Sequence, residues 1–133
     1  MSETPAGADG PADPTEPPLE ELVTDWLTVP DVAERLGVPL SSVRRMIEDR
    51  ELLAARTGER RVVSVPAQFL HEHVLPHLRG TFTVLADGGM HDDEILRWLF
   101  TPDETLRVSG TPVDNLAAGF KTEVRRRAME QAF

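Results

Sequence analysis

The chain has 133 residues, room for one ordinary domain or for a small domain with a helical extension. It contains no cysteine, which excludes a disulfide framework and a thiolate metal site, and no apolar run approaches the roughly 20 residues that cross a bilayer. Residues 1–26 hold seven acids and no base, residues 27–70 seven bases and six acids, and residues 71–133 seven bases and ten acids, so the formal charge of −9 sits mainly at the N-terminus.

Residues 1–21 are rich in Pro, Gly, Ala, Asp and Glu and almost free of large apolar side chains. Such a segment cannot bury enough surface to offset its ordering entropy, so a disordered acidic tail is expected. Thr4 and Thr15 within it are candidate phosphorylation sites, because threonines in an exposed acidic segment are accessible to kinases. No signal peptide is recognisable, and a soluble cytoplasmic protein is expected. Leu22, Val23, Trp26 and Leu27 begin the folded part, with Trp26 expected to seal the outer side of the first helix.

Thr28 occupies an N-cap position, with Asp31 three residues on to complement the helix start. Val29, Val32, Ala33 and Leu36 recur at helical spacing, and Gly37 stops the helix where a left-handed residue is wanted. Pro39 can open a second helix, since its missing N–H has no helical partner there. Leu40, Val43, Met46 and Ile47 form that helix's apolar side, which turns Ser41, Ser42, Arg44, Arg45 and Glu48 outward at about 100° per residue. A face of small hydroxyls and arginines on a helix propped against another is the helix-turn-helix arrangement that reads a DNA groove.

Leu53–Arg56 and Arg61–Val65 are strand-like runs around a turn at Thr57-Gly58-Glu59-Arg60. Arg56, Arg60 and Arg61 cluster at this hairpin tip, where guanidinium groups suit phosphate oxygens or a minor groove. The segment resembles the winged helix-turn-helix of MerR-type regulators and phage excisionases, which carry a capped helix, LGV, a second helix, a charged REL link and a basic wing. The likeness covers about 40 residues and is a fold signal; it does not specify the DNA bound. The bland alternative is a helical bundle with a solvated hairpin edge.

Past the wing, Pro66 is expected to open a helix from Ala67 to about Val74 that Pro76 interrupts. His71, His73 and His77 lie close together, but their spacing scatters them around a helix, and a solvated or partly buried cluster is expected in place of a metal site. Thr81–Ala86 is apolar and ends at Asp87-Gly88-Gly89. Asp92, Asp93 and Glu94 then complement the dipole of a helix in which Ile95, Leu96, Trp98, Leu99 and Phe100 leave little polar surface. Thr101-Pro102-Asp103-Glu104 reads as a further helix start. Gly110-Thr111-Pro112 precedes a short helix closed by Gly119, and Phe120–Phe133 forms the last. Arg125, Arg126 and Arg127 admit two readings, a second phosphate-contacting patch or a balance for the acids of the same half.

In this half DGGMHDDEILRWLFTPDETL, TPVDNL and VRRRAMEQAF resemble an actinobacterial family of small DNA-binding proteins, one mycobacterial member of which is a serine/threonine kinase substrate. The resemblance implies a disordered N-terminal tail, a winged helix-turn-helix and C-terminal helices of unassigned role. The helix LSSVRRMIE is this chain's own version, so site preference does not carry over. A fainter likeness links TPVDNL to the toxin-binding part of some helix-turn-helix antitoxins.

The fold expected is therefore mainly α with a small β-hairpin wing: a tail over residues 1–21, a winged helix-turn-helix over 22–75 and a helical region over 76–133. The function expected is sequence-preferring binding of double-stranded DNA by a transcriptional regulator or nucleoid-associated factor, through Ser41, Ser42, Arg44, Arg45, Arg56, Arg60 and Arg61. A Ser/Thr protein kinase and a weak homodimer, formed near Trp98 or Phe100, are the further partners expected. The alternative is a protein-interaction module whose helix-turn-helix is structural. An enzyme is disfavoured, because no nucleophile has a base at workable spacing and no phosphate loop, metal-ligand set or cofactor motif is present.

Overall fold

The computed structural model describes residues 17–108 and 110–132. In chain order these form α1 (Leu19–Leu22), β1 (Trp26–Thr28), α2 (Val29–Leu36), α3 (Leu40–Glu48), β2 (Ala55–Thr57), β3 (Val62–Pro66), a 3₁₀ turn (Ala67–Leu70), α4 (Leu75–Asp87), α5 (Asp92–Leu99), α6 (Pro112–Ala117) and α7 (Lys121–Ala132). The result is mainly helical with a three-stranded antiparallel sheet in the order β1-β3-β2.

The sheet has one strand more than a hairpin. Trp26 and Leu27 pair with Pro66 and Val65, while Ala55 and Thr57 pair with Ser64 and Val62 on the other edge of β3. Trp-Leu-Thr suits a strand because aromatic and β-branched side chains pack well on a pleated surface, and Leu27 alone of the three is buried. Trp26 is thus an edge residue of the sheet, half-buried, its indole N–H donating to the Glu20 carbonyl at 3.4 Å. Thr28 ends the strand and caps α2 in one step, since its extended backbone (φ −73°, ψ 166°) serves both.

Pro76 does not interrupt a helix. It lies in the first turn of α4, where no intrahelical N–H is needed, and the helix runs on from Leu75 through the apolar TFTVLA segment to Asp87. Ala67–Leu70 is only a 3₁₀ turn before it. The expected helix start at Thr101–Glu104 is also absent. There Asp103 Oδ1 accepts from the Thr105 N–H (2.9 Å) and hydroxyl (2.7 Å), and the Asp103 N–H donates to the Gly110 carbonyl (2.9 Å). A side chain that satisfies nearby backbone groups competes with the helix it was expected to cap.

One hydrophobic core runs through both halves. Val32, Val43, Leu52 and Val65 from the N-terminal half join Phe82, Leu96, Leu116 and Val124 from the C-terminal half. Phe69 is the bridge, with ring centroids 5.7 Å from Phe82 and 5.6 Å from Phe100 and the ring planes tilted by 55° and 40°, within the spacing aromatic pairs prefer. The apolar helix α5 is consumed by this core: Ile95, Leu96, Leu99 and Phe100 are buried, and Trp98 is half-buried. Phe100 is therefore withdrawn from any subunit contact. The expected tail lies outside the described residues as far as residue 16, and Leu19–Leu22 near its end is a helical turn lying against α5.

Candidate nucleic-acid interface

The putting together of α2 and α3 follows from two caps. The Thr28 hydroxyl accepts the Asp31 N–H at 3.3 Å. Gly37 adopts φ +69°, and its N–H reaches the carbonyls of Ala33 and Glu34; a side chain at that φ would be strained. The tight turn presses Val43 of α3 into the core, fully buried, and so fixes which way the opposite face points.

That face carries Ser41, Arg44, Arg45 and Glu48, all exposed. Ser42 is half-buried and Leu40 is 41% exposed, so the first turn of α3 is rotated from the expected division. Among the described residues neither Arg44 nor Arg45 makes an ion pair or a side-chain hydrogen bond, and both guanidinium groups are available to a ligand.

The wing turn lies at residues 58–61, one position later than its sequence pattern indicates, between β2 and β3. Arg56, Arg60 and Arg61 are exposed on it. Arg56 Nη1 donates to the Arg61 carbonyl at 3.2 Å, which ties one arginine across the hairpin. Arg61 itself stands at φ +54°. At the base, the Thr57 and Ser64 hydroxyls meet at 2.9 Å, and Ser64 is buried.

Two supporting residues were not legible as such. Glu20 Oε2 accepts the Gly58 N–H at 2.6 Å, so a residue assigned to the tail holds the wing turn. The available signal was Pro17-Pro18 followed by Leu-Glu-Glu-Leu, an acidic helical turn with apolar residues at i and i+3. Arg50, just past α3, pairs with Asp92 of α5 at 2.9 Å. Also on α5, Arg97 Nη1 donates to the Pro17 carbonyl at 2.7 Å. Thr4 and Thr15 lie outside the described residues.

The histidines and C-terminal arginines separate by role. The His71 Nδ1 accepts the His73 N–H at 3.0 Å, while His77 stands on α4. Among the described residues no group of three or more His, Cys, Asp or Glu is placed to hold a metal, and no helix is long and apolar enough to cross a membrane. Arg127 is committed internally, donating to the Thr105 hydroxyl (2.7 Å) and carbonyl (2.9 Å) and pairing with Asp103 at 3.4 Å. The same contacts keep the Asp103 carboxyl below its ordinary range, the Thr105 hydroxyl and N–H first and Arg127 after them. Arg125 and Arg126 are not absorbed in this way.

Comparison with known proteins gives consistent matches. Residues 19–70 match the family described as the winged helix-turn-helix domain of DNA-binding protein Rv2175c, and residues 75–132 match the Rv2175c C-terminal domain of unknown function. The DNA-binding protein Rv2175c of Mycobacterium tuberculosis is 38% identical over 141 aligned residues, covering 97% of this chain and 89% of that protein. The NMR structure of Rv2175c superimposes with a TM-score of 0.73 at 37% identity, covering 94% of this chain and 87% of the other.

Proposed function

The chain belongs to the Rv2175c family, and from that premise we propose that it binds double-stranded DNA, with α3 in the major groove and the wing arginines on the flanking backbone. The observation that carries this reading is the outward, unpaired Arg44–Arg45 pair on a helix whose opposite side is locked into the core by Val43. Guanidinium groups suit both guanine edges and phosphate oxygens. Ser41 and Ser42 lie at the start of the same helix, where short hydroxyls reach phosphate or base edges.

The protein acts on this reading in the cytoplasm, at the nucleoid, as a transcriptional regulator or nucleoid-associated factor. Its Ser/Thr kinase partner would act on Thr4 or Thr15, adding charge to an N-terminal stretch, residues 1–26, that already holds seven acids and no base. If two copies meet on a palindromic site, Trp98, which is half-buried, is the expected contact residue, since Phe100 is buried.

The test is a fluorescence-anisotropy titration of duplex DNA across salt concentrations. Binding through several arginine–phosphate contacts gives log K falling linearly with log salt, with a slope of about −0.9 per phosphate neutralised. Absence of binding at low salt, or a flat salt response, overturns the reading.

A further inference from the structure

We infer that the C-terminal helices carry a phosphate-binding cleft of their own, formed between the start of α4 and the outer face of α7. A cleft of about 430 Å³ opens there, lined by His77 of α4 and by Lys121, Thr122, Arg125, Arg126 and Met129 of α7. Its size falls within the roughly 300–1,000 Å³ of small-molecule sites. Its lining is cationic in a region whose overall charge is negative, since residues 71–133 hold ten acids and seven bases.

The four basic groups are gathered without matching acids. Among the described residues the side chains of His77, Lys121 and Arg125 have neither an ion pair nor a hydrogen bond. Arg125 Nε is buried and lacks an acceptor. Among the described residues Arg126 pairs only with Glu123, at 3.9 Å, and Glu123 lines the neighbouring depression beside Arg107 and Phe120 in place of this cleft. Like charges held together repel, and burying a donor without a partner costs free energy. An anion with several acceptor oxygens relieves both costs, and phosphate, with three or more such oxygens, can be shared between the arginine fork and the lysine point charge.

The position of Arg125 is set by the fold. Its guanidinium lies against Gly80 so closely that a β-carbon at residue 80 would collide with it. Gly80 thus leaves room for a charged group to lie along α4, in the helix pair α4–α7 that forms the largest contact of the C-terminal half. His77 reports the same field. Its pKa is lowered from 6.5 by burial first, then by Lys121 and Arg125, then by His73, whose own imidazole has Glu72 at 3.8 Å.

The sources of phosphate that fit are the DNA backbone and a small free phosphate compound. The test follows the assigned His77 imidazole resonance of the full chain across pH at constant ionic strength, alone, with inorganic phosphate, and with a DNA duplex. A bound anion favours imidazolium, so phosphate moves the His77 midpoint up toward or past 6.5. K121Q and R125Q each raise the midpoint of the free protein, because a repelling charge is gone, and each diminishes the further rise with phosphate. Lys121 is exposed, so K121Q keeps the test intact should R125Q disturb packing at Gly80. A rise with the duplex, joined to a salt slope about one unit shallower in K121Q, identifies the DNA backbone as the source; a rise with inorganic phosphate alone identifies a small ligand. The inorganic arm stands whether or not the reading head binds DNA. An unchanged His77 midpoint with both probes overturns the proposal.

Discussion

Arg50, in a left-handed backbone conformation one residue past the end of the α3 cap, reaches 42 residues along the chain to grip Asp92 at the start of α5. The Arg50 N–H bonds to the Ile47 carbonyl (3.1 Å) and the Glu51 N–H to the Met46 carbonyl (2.8 Å), the paired bonds of a Schellman ending. Glycine usually fills the left-handed place in that motif. An arginine there, at φ +62°, accepts local strain and gains a tie between α3 and the C-terminal half.

The two effects can be separated by substitution. Both side chains are substantially exposed, at 41% and 53%, so the ion pair itself is worth at most about 1 kcal/mol. The left-handed conformation costs a non-glycine residue about 1–2 kcal/mol. Arg50→Gly is therefore expected to be as stable as the wild type or slightly more so, while Arg50→Ala keeps the strain, loses the pair and melts lower. Asp92→Asn should cost about 1 kcal/mol or less. Thermal unfolding of the three variants checks the order; Arg50→Ala matching Arg50→Gly would show that the backbone there is unstrained.

Asn115 is a second point where one residue fixes a loop. It is fully buried in α6, donates to the Val108 and Thr111 carbonyls at 3.0 and 2.9 Å, and accepts the Val108 N–H at 2.9 Å. Each bond contributes about 1 kcal/mol net, and stranding buried backbone groups costs about 1–3 kcal/mol more. Asn115→Ala is expected to destabilise by roughly 2–4 kcal/mol, and Asn115→Asp comparably, because it lacks the amide donors. Denaturant unfolding measures both, and a change below 1 kcal/mol in Asn115→Ala would mean that the 101–110 loop is held by other means.

The parts of the fold that were legible in sequence are those whose cause is local. Thr28, Gly37 and Pro39 mark the helix-turn-helix because caps and turns act within four residues, and Gly110-Thr111-Pro112 marks the start of α6 for the same reason. The pairing of β1 with β3, the grip of Arg50 on Asp92 and the Glu20 bond to the wing were not legible, since each depends on residues 36 or more apart in sequence. Pro76 was misread because a proline that opens a helix and one that breaks it look alike until the flanking segments are placed. The exposed arginines of α3 were legible from the position of Val43; the convergence of His77, Lys121 and Arg125 was not, because it needs α4 and α7 packed together.

For the reading head the expectation divides two adjacent arginines. Arg45 lies opposite the buried Val43 side, where the proposed reading gives it a bidentate guanine contact; Arg44 lies nearer the helix edge. Arg45→Ala is expected to lose about 1–3 kcal/mol of specific affinity and to relax preference at one base pair. Arg44→Ala should weaken binding about equally across sequences. Anisotropy with matched and mismatched duplexes distinguishes them, and unchanged binding in both variants would shift the reading toward a structural helix-turn-helix.

The N-terminal segment offers a charge-based prediction that the fold makes sharper. Residues 1–26 hold seven acids and no base, next to a winged helix-turn-helix with a surplus of only one base. Glu20 is bonded to the wing at Gly58, and the Pro17 carbonyl to Arg97 of α5. Sixteen residues reach at most on the order of 50 Å, far enough to bring their carboxylates within a Debye length, about 8 Å at physiological salt, of the α3 and wing arginines. Phosphate on Thr4 or Thr15 would add about −1.5 to −2 charges. Removal of residues 1–16 is expected to raise DNA affinity severalfold at low salt, and Thr15→Glu to lower it, with both differences shrinking as salt rises. The deletion must stop at Glu16, because removing Glu20 would also free the wing turn and confuse the two effects. Affinities of the full chain, the deletion and Thr15→Glu, measured at two salt concentrations, decide the matter. Three equal values at low salt would show that these carboxylates do not compete with DNA.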